Sequence, residues 1–169
     1  MTTNSVGTYI VPTATFEVTM PAQPAFSAYV SPTFANVTGN GGVYRICNDN
    51  NNTIFDQNAD YDDDGTFTAP VTGRYVAKCY CTLGDVTAAA TDCVVQIVTS
   101  NATYFCGYKN PGAVRTASGY FGTEAFSFAD MDAADTAVFE VEVNGEAGDV
   151  NDLISTAEVL NYIQMFLAC

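Results

Sequence analysis

Three groups of residues have types and spacings that could do chemistry. Asp60-Tyr-Asp-Asp-Asp-Gly65 contains Asp-x-Asp-x-Asp-Gly, the opening of a calcium loop, in which alternate carboxylates ahead of a glycine turn converge on one ion. The acid that closes such a loop is missing, because position 71 is Val, and no helix is expected on either side. Asp60, Asp62 and Asp64 are therefore read as a solvated turn between two strands, with Gly65 supplying a positive φ, and no metal is expected. The second group is cysteine. Cys79-x-Cys81 places two sulfurs on one face of a strand, and Cys93 and Cys106 fall on opposite arms of a hairpin. Thiolate zinc sites use tight knuckles that these six residues (with Cys47 and Cys169) do not form, so free buried thiols are expected, with one disulfide as the alternative. The third group is the paired carboxylates of a glycosidase type. Glu140 and Glu142 alternate as an outward strand face would, and no pair stands at a spacing that marks a cleft.

Histidine is absent altogether, which removes the Ser-His-Asp triad, His-ligated zinc and any imidazole base. Neither a catalytic residue nor a cofactor is expected. The 169 residues carry 19 Asp and Glu against 5 Lys and Arg, a formal charge of −14. Nucleic acid and anionic membrane surfaces are disfavoured partners, since both are gripped by clustered cations. No run of 18 apolar residues occurs, and residues 1–7 lack the basic start and apolar stretch of an export signal. Synthesis in a cytoplasm, with thiols initially reduced, is the expectation.

The elements that must position these groups are strands. Ten Tyr and eleven Phe, with many Val and Thr, suit a pleated, half-buried surface, and Gly, Asn and Pro punctuate the apolar runs. Short strands are expected over 8–11 and 15–19, then over 25–30, 43–47, 53–55, 73–81, 93–98, 103–108, 119–128, 136–143 and 159–167, with a hairpin turn at 99–102. A helix is expected, if anywhere, only around 147–157. The chain divides into an extended N-terminal arm, 1–22, and one all-β domain, 23–169, a sandwich or barrel.

One stretch goes further than composition. Phe67, Gly73 and Tyr75 satisfy a Phe, five residues, Gly, one residue, Tyr pattern; Phe55-Asp56, Tyr61 and Gly65 precede it at fitting positions. This resembles the signature of the complement C1q globular domain, a member of the tumour-necrosis-factor-like jelly rolls. Ala25-Phe-Ser-Ala is similar to that family's first strand and Tyr162-Ile-Gln-Met-Phe-Leu to its last. Asp135-Thr-Ala-Val resembles its Gly-Asp-x-Val corner, with Ala134 in place of the glycine. The segment from Phe55 to Tyr61 is shorter than in the complement proteins, and Ala77 stands where an aromatic is usual. The resemblance covers about residues 24–169. It implies a TNF-like jelly-roll β-sandwich that forms a homotrimer, here with the interface expected at Tyr75, neighbouring strand aromatics and Phe166.

With no export signal, no collagen-like stalk and an acidic surface, the expected role is structural. The chain is read as a bacteriophage virion member, a trimeric capsid decoration (cement) protein bound to the major capsid protein through the 1–22 arm. The alternative is a receptor- or carbohydrate-binding head of a viral fibre, where Tyr104-Phe105, Tyr120-Phe121, Phe126 and Phe128 could stack on sugars. A secreted ligand-like domain is a third reading, weakened by the missing signal.

Overall fold

The computed structural model describes residues 22–48, 51–156 and 159–169. The expected strands over 8–11 and 15–19, and nearly all of the 1–22 arm, lie outside them.

Alternation of apolar and polar residues decides the architecture. In β6 (Gly73–Gly84) the odd positions Tyr75, Ala77, Cys79, Cys81 and Leu83 are fully buried, while Arg74, Val76, Lys78, Tyr80 and Thr82 face outward. The same two-residue period runs through β9 (Phe121–Met131) and β10 (Thr136–Asn144). Each strand can thus cover one side of a shared core.

Two antiparallel sheets result. The larger pairs β6 with β9 along one edge and with β12 (Tyr162–Leu167) along the other; β12 then pairs with β1 (Ala25–Val30), and β1 with β4 (Asn51–Asp56). Beyond β12, β6 also pairs with β11 (Asn151–Leu153), which holds β2 (Phe34–Thr38). The smaller sheet runs β3 (Val43–Arg45), β10, β7 (Asp92–Thr99), β8 (Thr103–Lys109), with β5 (Phe67–Thr68) also on β10. The expected hairpin at 99–102 joins β7 to β8, closed by Thr99 N–H donating to the Ala102 carbonyl at 2.8 Å. The architecture is the expected all-β jelly-roll sandwich.

The motif residues hold the two sheets together. Asp56 accepts hydrogen bonds from the backbone N–H groups of Asp60 and Tyr61, both at 3.1 Å, and so bends the chain between the sheets. Tyr61 stacks on Phe26 (centroids 4.4 Å), Phe26 on Phe67 (5.4 Å), and Phe67 meets Tyr75 edge-on (5.5 Å), filling one end of the core. A Cβ at Gly73 would stand 2.6 Å from Leu167 Cδ1 and 2.8 Å from the Cys169 carbonyl oxygen, so only glycine lets the C-terminal strand end close against β6.

The expected helix, and its expected place, both fail. Residues around 147–157 do not form a helix where they are described: 145–149 bend, and β11 follows with Asn151 and Leu153 buried. Gly145 (φ 98) and Gly148 resist helix, and Leu153 finds its burial beside Leu83 of β6 instead. The one helix among the described residues is a single turn, α1 (Pro111–Val114), capped by the Asn110 side chain accepting from the Ala113 N–H.

Candidate interaction surface

Each sequence-predicted group has a definite place. The Asp60–Gly65 segment is the expected turn: Gly65 has φ 82, its N–H donates to the Asp62 carbonyl, and Tyr61 bridges to Phe67. Its carboxylates serve the turn itself. Asp62 Oδ1 accepts from the Thr66 N–H at 3.0 Å, and Asp64 Oδ1 accepts from the Thr66 hydroxyl and faces Arg45 at 3.6 Å. Hydrogen bonds with Asp62 and Thr66, aided by the Arg45 guanidinium, hold the Asp64 carboxyl below its ordinary range. Burial, then the neighbouring Asp64, pushes Asp62 up; burial also raises Asp60.

The cysteines are free thiols. Cys79 and Cys81 do share one face of β6, in the core, and Cys93 faces the core from β7. Burial pushes the Cys47 and Cys93 thiols up to about 12 and raises Cys79 and Cys81 as well, which leaves all four without nucleophilic thiolate at neutral pH. Among the described residues, no three of His, Cys, Asp or Glu are grouped to hold a metal ion. Glu140 and Glu142 lie on the outer face of the smaller sheet, as their alternation implied. Gln96 donates to Glu140 at 2.7 Å, and the Asn144 amide bridges Glu142 (2.8 Å) and Asp92 (3.1 Å).

Tyr75 is a correction. It is fully buried within one chain, its hydroxyl donating to the Val71 carbonyl at 2.7 Å, so it belongs to the monomer core and to no interface. Phe166 is different, for β12 turns it outward.

Register across four strands builds the outer face of the larger sheet in rows. Phe166, Val76 and Phe128 form one row, Gln164, Lys78 and Phe126 the next, and Tyr29, Tyr162, Tyr80 and Glu124 a third. Phe55, Phe126, Phe128 and Phe166 are 44–59% exposed. A depression of about 450 Å³ opens among Ala25, Phe55, Val76, Phe126 and Phe166, floored by Met165. Phe126 and Phe128 meet edge-on at 5.6 Å, Tyr80 and Tyr162 stack at 6.0 Å, and Lys78 Nζ lies 5.6 Å from the Tyr162 ring centre. Exposed aromatic rings in contiguous rows mark a surface that meets another molecule. Lys78 and Val76 carry no motif in sequence, and only alternation in β6 pointed to them; Phe55, on β4, stands in the Phe55-Asp56 motif.

No family model matches the chain, and no curated protein matches it in sequence. Solved structures do. The globular domain of zebrafish complement 1qA aligns with TM-score 0.56 at 14% identity, covering 86% of this chain and 98% of that one. Murine APRIL aligns with TM-scores of 0.53 and 0.55 in crystals at pH 8.5 and 8.0, at 9% identity and the same coverage. The fold is the C1q and TNF-like jelly roll. Domains of this fold are typically non-enzymatic binding modules and commonly form trimers.

Proposed function

We propose that this protein is a non-catalytic homotrimer that decorates the outer surface of a phage capsid, gripping the major capsid protein through residues 1–22. The observation that carries the trimer is the outer face of the larger sheet. Its apolar rows run contiguously across Phe55, Phe166, Val76, Phe128 and Phe126, whereas the middle strands of the opposite face carry paired carboxylates and amides, with the exposed Val43, Phe105 and Tyr108 set apart on its edge strands. A second copy of the chain is the occupant that such a face suits, because burying the rings removes apolar area from water at roughly 25 cal/mol per Å². The depression and the Phe126–Phe128 ridge are unlike features of one face. Unlike features favour a head-to-tail contact that closes into a ring.

The capsid part of the reading rests on the sequence. The arm carries apolar, strand-like segments broken by Pro12 and Pro21, suited to adding strands to a neighbour's sheet edge. Three linked arms gain avidity through effective concentration. A net charge of −14 keeps a densely coated particle soluble and away from nucleic acid. On this reading the protein is made in the host cytoplasm and resides on the virion.

Light scattering of the intact chain at micromolar concentration gives three times 17.9 kDa if the trimer is right. Deleting 1–22 leaves a trimer of the shortened chain and abolishes coating of particles; normal coating by the truncated protein overturns the decoration reading. The alternative, a receptor- or carbohydrate-binding head on a fibre, is favoured by one observation, the groove beside β8.

A further inference from the structure

The two sheets do not close along the edge where β8 faces β9. A groove of about 800 Å³ lies there, lined by Lys78, Tyr104, Phe105, Lys109, Glu124, Phe126 and Ser127, with Cys106 at its wall. From these residues the geometry points to a binding site for a carboxylate-bearing pyranose, an acidic sugar held by Lys78 and Lys109. The site goes beyond the trimer reading but borders its face, sharing Lys78 and Phe126 with the depression there, and it requires the subunit contact to leave the β8 side of those two residues open.

A backbone irregularity builds it. Gln96 pairs with Phe105 and Val94 with Tyr108, so β8 carries one residue more than β7 between the two pairs, a bulge at Gly107 (φ 97). Without the extra residue Lys109 would share the outward parity of Phe105. With it, Lys109 pairs opposite the inward Cys93 and joins Tyr104 on the side facing β9, where its ammonium donates to the Thr123 hydroxyl at 2.9 Å. One ammonium proton is thereby committed and the head group is held at the groove wall. Lys78 reaches the groove from the outward face of β6.

Charge selects the ligand. The chain has five cations, and two of them line this groove, while neither takes part in an ion pair among the described residues. Glu124 is the groove's carboxylate, which leaves it with a net charge of +1 in a molecule of −14. A long polyanion is repelled by that surround. A phosphate dianion finds neither a guanidinium fork nor a helix N-terminus, and meets Glu124 as well. A monoanionic sugar fits each feature: its carboxylate takes the two ammonium groups, its hydroxyls donate to Glu124 and exchange hydrogen bonds with Ser127, and its apolar ring face lies on Phe105 and Phe126, which are 60% and 56% exposed. The volume suits one or two rings.

The test titrates sodium glucuronate, glucose and sodium acetate into the full, isotopically labelled chain at constant ionic strength, following amide resonances of β8 and β9 while light scattering reads the oligomer. Saturable shifts with glucuronate, at least tenfold weaker with glucose and with acetate, are expected. Lys109→Gln keeps a donor for Thr123 but removes the charge, and should weaken glucuronate about tenfold without changing the mass. Equal shifts with acetate overturn the sugar, and equal shifts with glucose overturn the role of the lysines. If glucuronate binds only after Phe166→Glu has dissociated the trimer, the groove is a subunit contact and the proposal fails, whereas the trimer stands. A monomeric mass with glucuronate binding intact refutes the trimer and leaves the groove.

Discussion

The two outer faces of this sandwich differ in what they offer water. On the smaller sheet the outward rows centre on polar groups that pair with one another, Gln96 with Glu140, Asn144 with both Glu142 and Asp92, Arg45 with Asp64, and the exposed Val43, Phe105 and Tyr108 stand apart on the edge strands β3 and β8. Carboxylates that already hold their donors need no partner molecule. On the larger sheet, phenylalanines occupy the corresponding outward positions, and the described ion pair there, Arg74 with Asp130 at 4.0 Å, sits at its margin. Strand alternation treats both sheets alike, since every second residue must leave the core. The chemistry of those second residues is what separates a face made for solvent from a face made for contact.

The comparison breaks most visibly if the apolar face is charged. Phe166→Glu places a carboxylate in the Phe166–Val76–Phe128 row and should convert the proposed trimer to monomer, a loss of at least 2 kcal/mol of association, about 30-fold, read by light scattering. Glu140→Ala on the opposite face should leave the mass unchanged. A trimer that survives Phe166→Glu, or falls apart with Glu140→Ala, reverses the assignment of the two faces.

Tyr75 and Phe166 sharpen the distinction between core and contact. Tyr75→Ala empties a fully buried site packed on Phe67 and strands the Val71 carbonyl, and should lower monomer stability by about 3–5 kcal/mol in denaturant unfolding. In a monomeric background, Phe166→Ala should cost no more than about 0.5 kcal/mol, because the ring is half exposed there.

That contrast also shows what a sequence discloses. Asp56, Tyr61, Gly65, Phe67, Gly73 and Tyr75 made the fold legible because each does a local or core job: a carboxylate turn, an aromatic stack, a positive φ, a close approach. For the same reason they say nothing of function, and expecting Tyr75 at an interface mistook a folding residue for a binding one. Of the contact face, only Phe55 stands in the motif. Phe166, Val76 and Phe128 are about 90 and 50 residues apart, and only the register of β12, β6 and β9 sets them in a row. Lys109 was hidden for a second reason: a bulge inverted the parity from which its side could be read. β2 and β11 escaped notice because one is broken by Asn36 at φ 59 and shows no clean alternation of burial, and the other is only three residues long.

The core shared by both faces should fail in alkali. Cys47 and Cys93 keep their protons in the native state up to about pH 12, whereas their ordinary value is 9.0. Between those limits the unfolded chain releases protons that the native one holds. Stability is therefore intact below pH 9 and falls as pH rises towards 12, by up to about 1.4 kcal/mol per pH unit for each thiol. Melting temperatures from pH 8 to 11 should show this decline, with a shallower slope in Cys93→Val. In the native protein at pH 8, a thiol reagent should reach Cys169 and Cys106 while sparing the other four; rapid reaction of all six would mean that the core is not closed.

The smallest effect serves as a reference, because it touches neither face. Ala134 sits at φ 73 in the corner between β9 and β10, where the resemblance places glycine. An L-residue with a side chain pays roughly 1–2 kcal/mol in left-handed geometry. Ala134 is exposed, and its backbone N–H donates to the Ala69 carbonyl at 2.7 Å, a bond that glycine keeps. The neighbouring Asp135 carboxylate accepts from the Asp132 N–H at 2.7 Å and holds the corner in shape whichever residue stands at 134. Ala134→Gly therefore loses no contact and relieves the strain, while the freer unfolded chain offsets part of the gain. A net stabilisation of about 0.5–1 kcal/mol is expected, raising the melting temperature by about 1–4 °C in a domain of this size. The shift should be the same in the intact trimer and in the Phe166→Glu monomer. Stabilisation of only one of the two forms would tie the corner to the subunit contact and extend the contact face to that end of the sandwich.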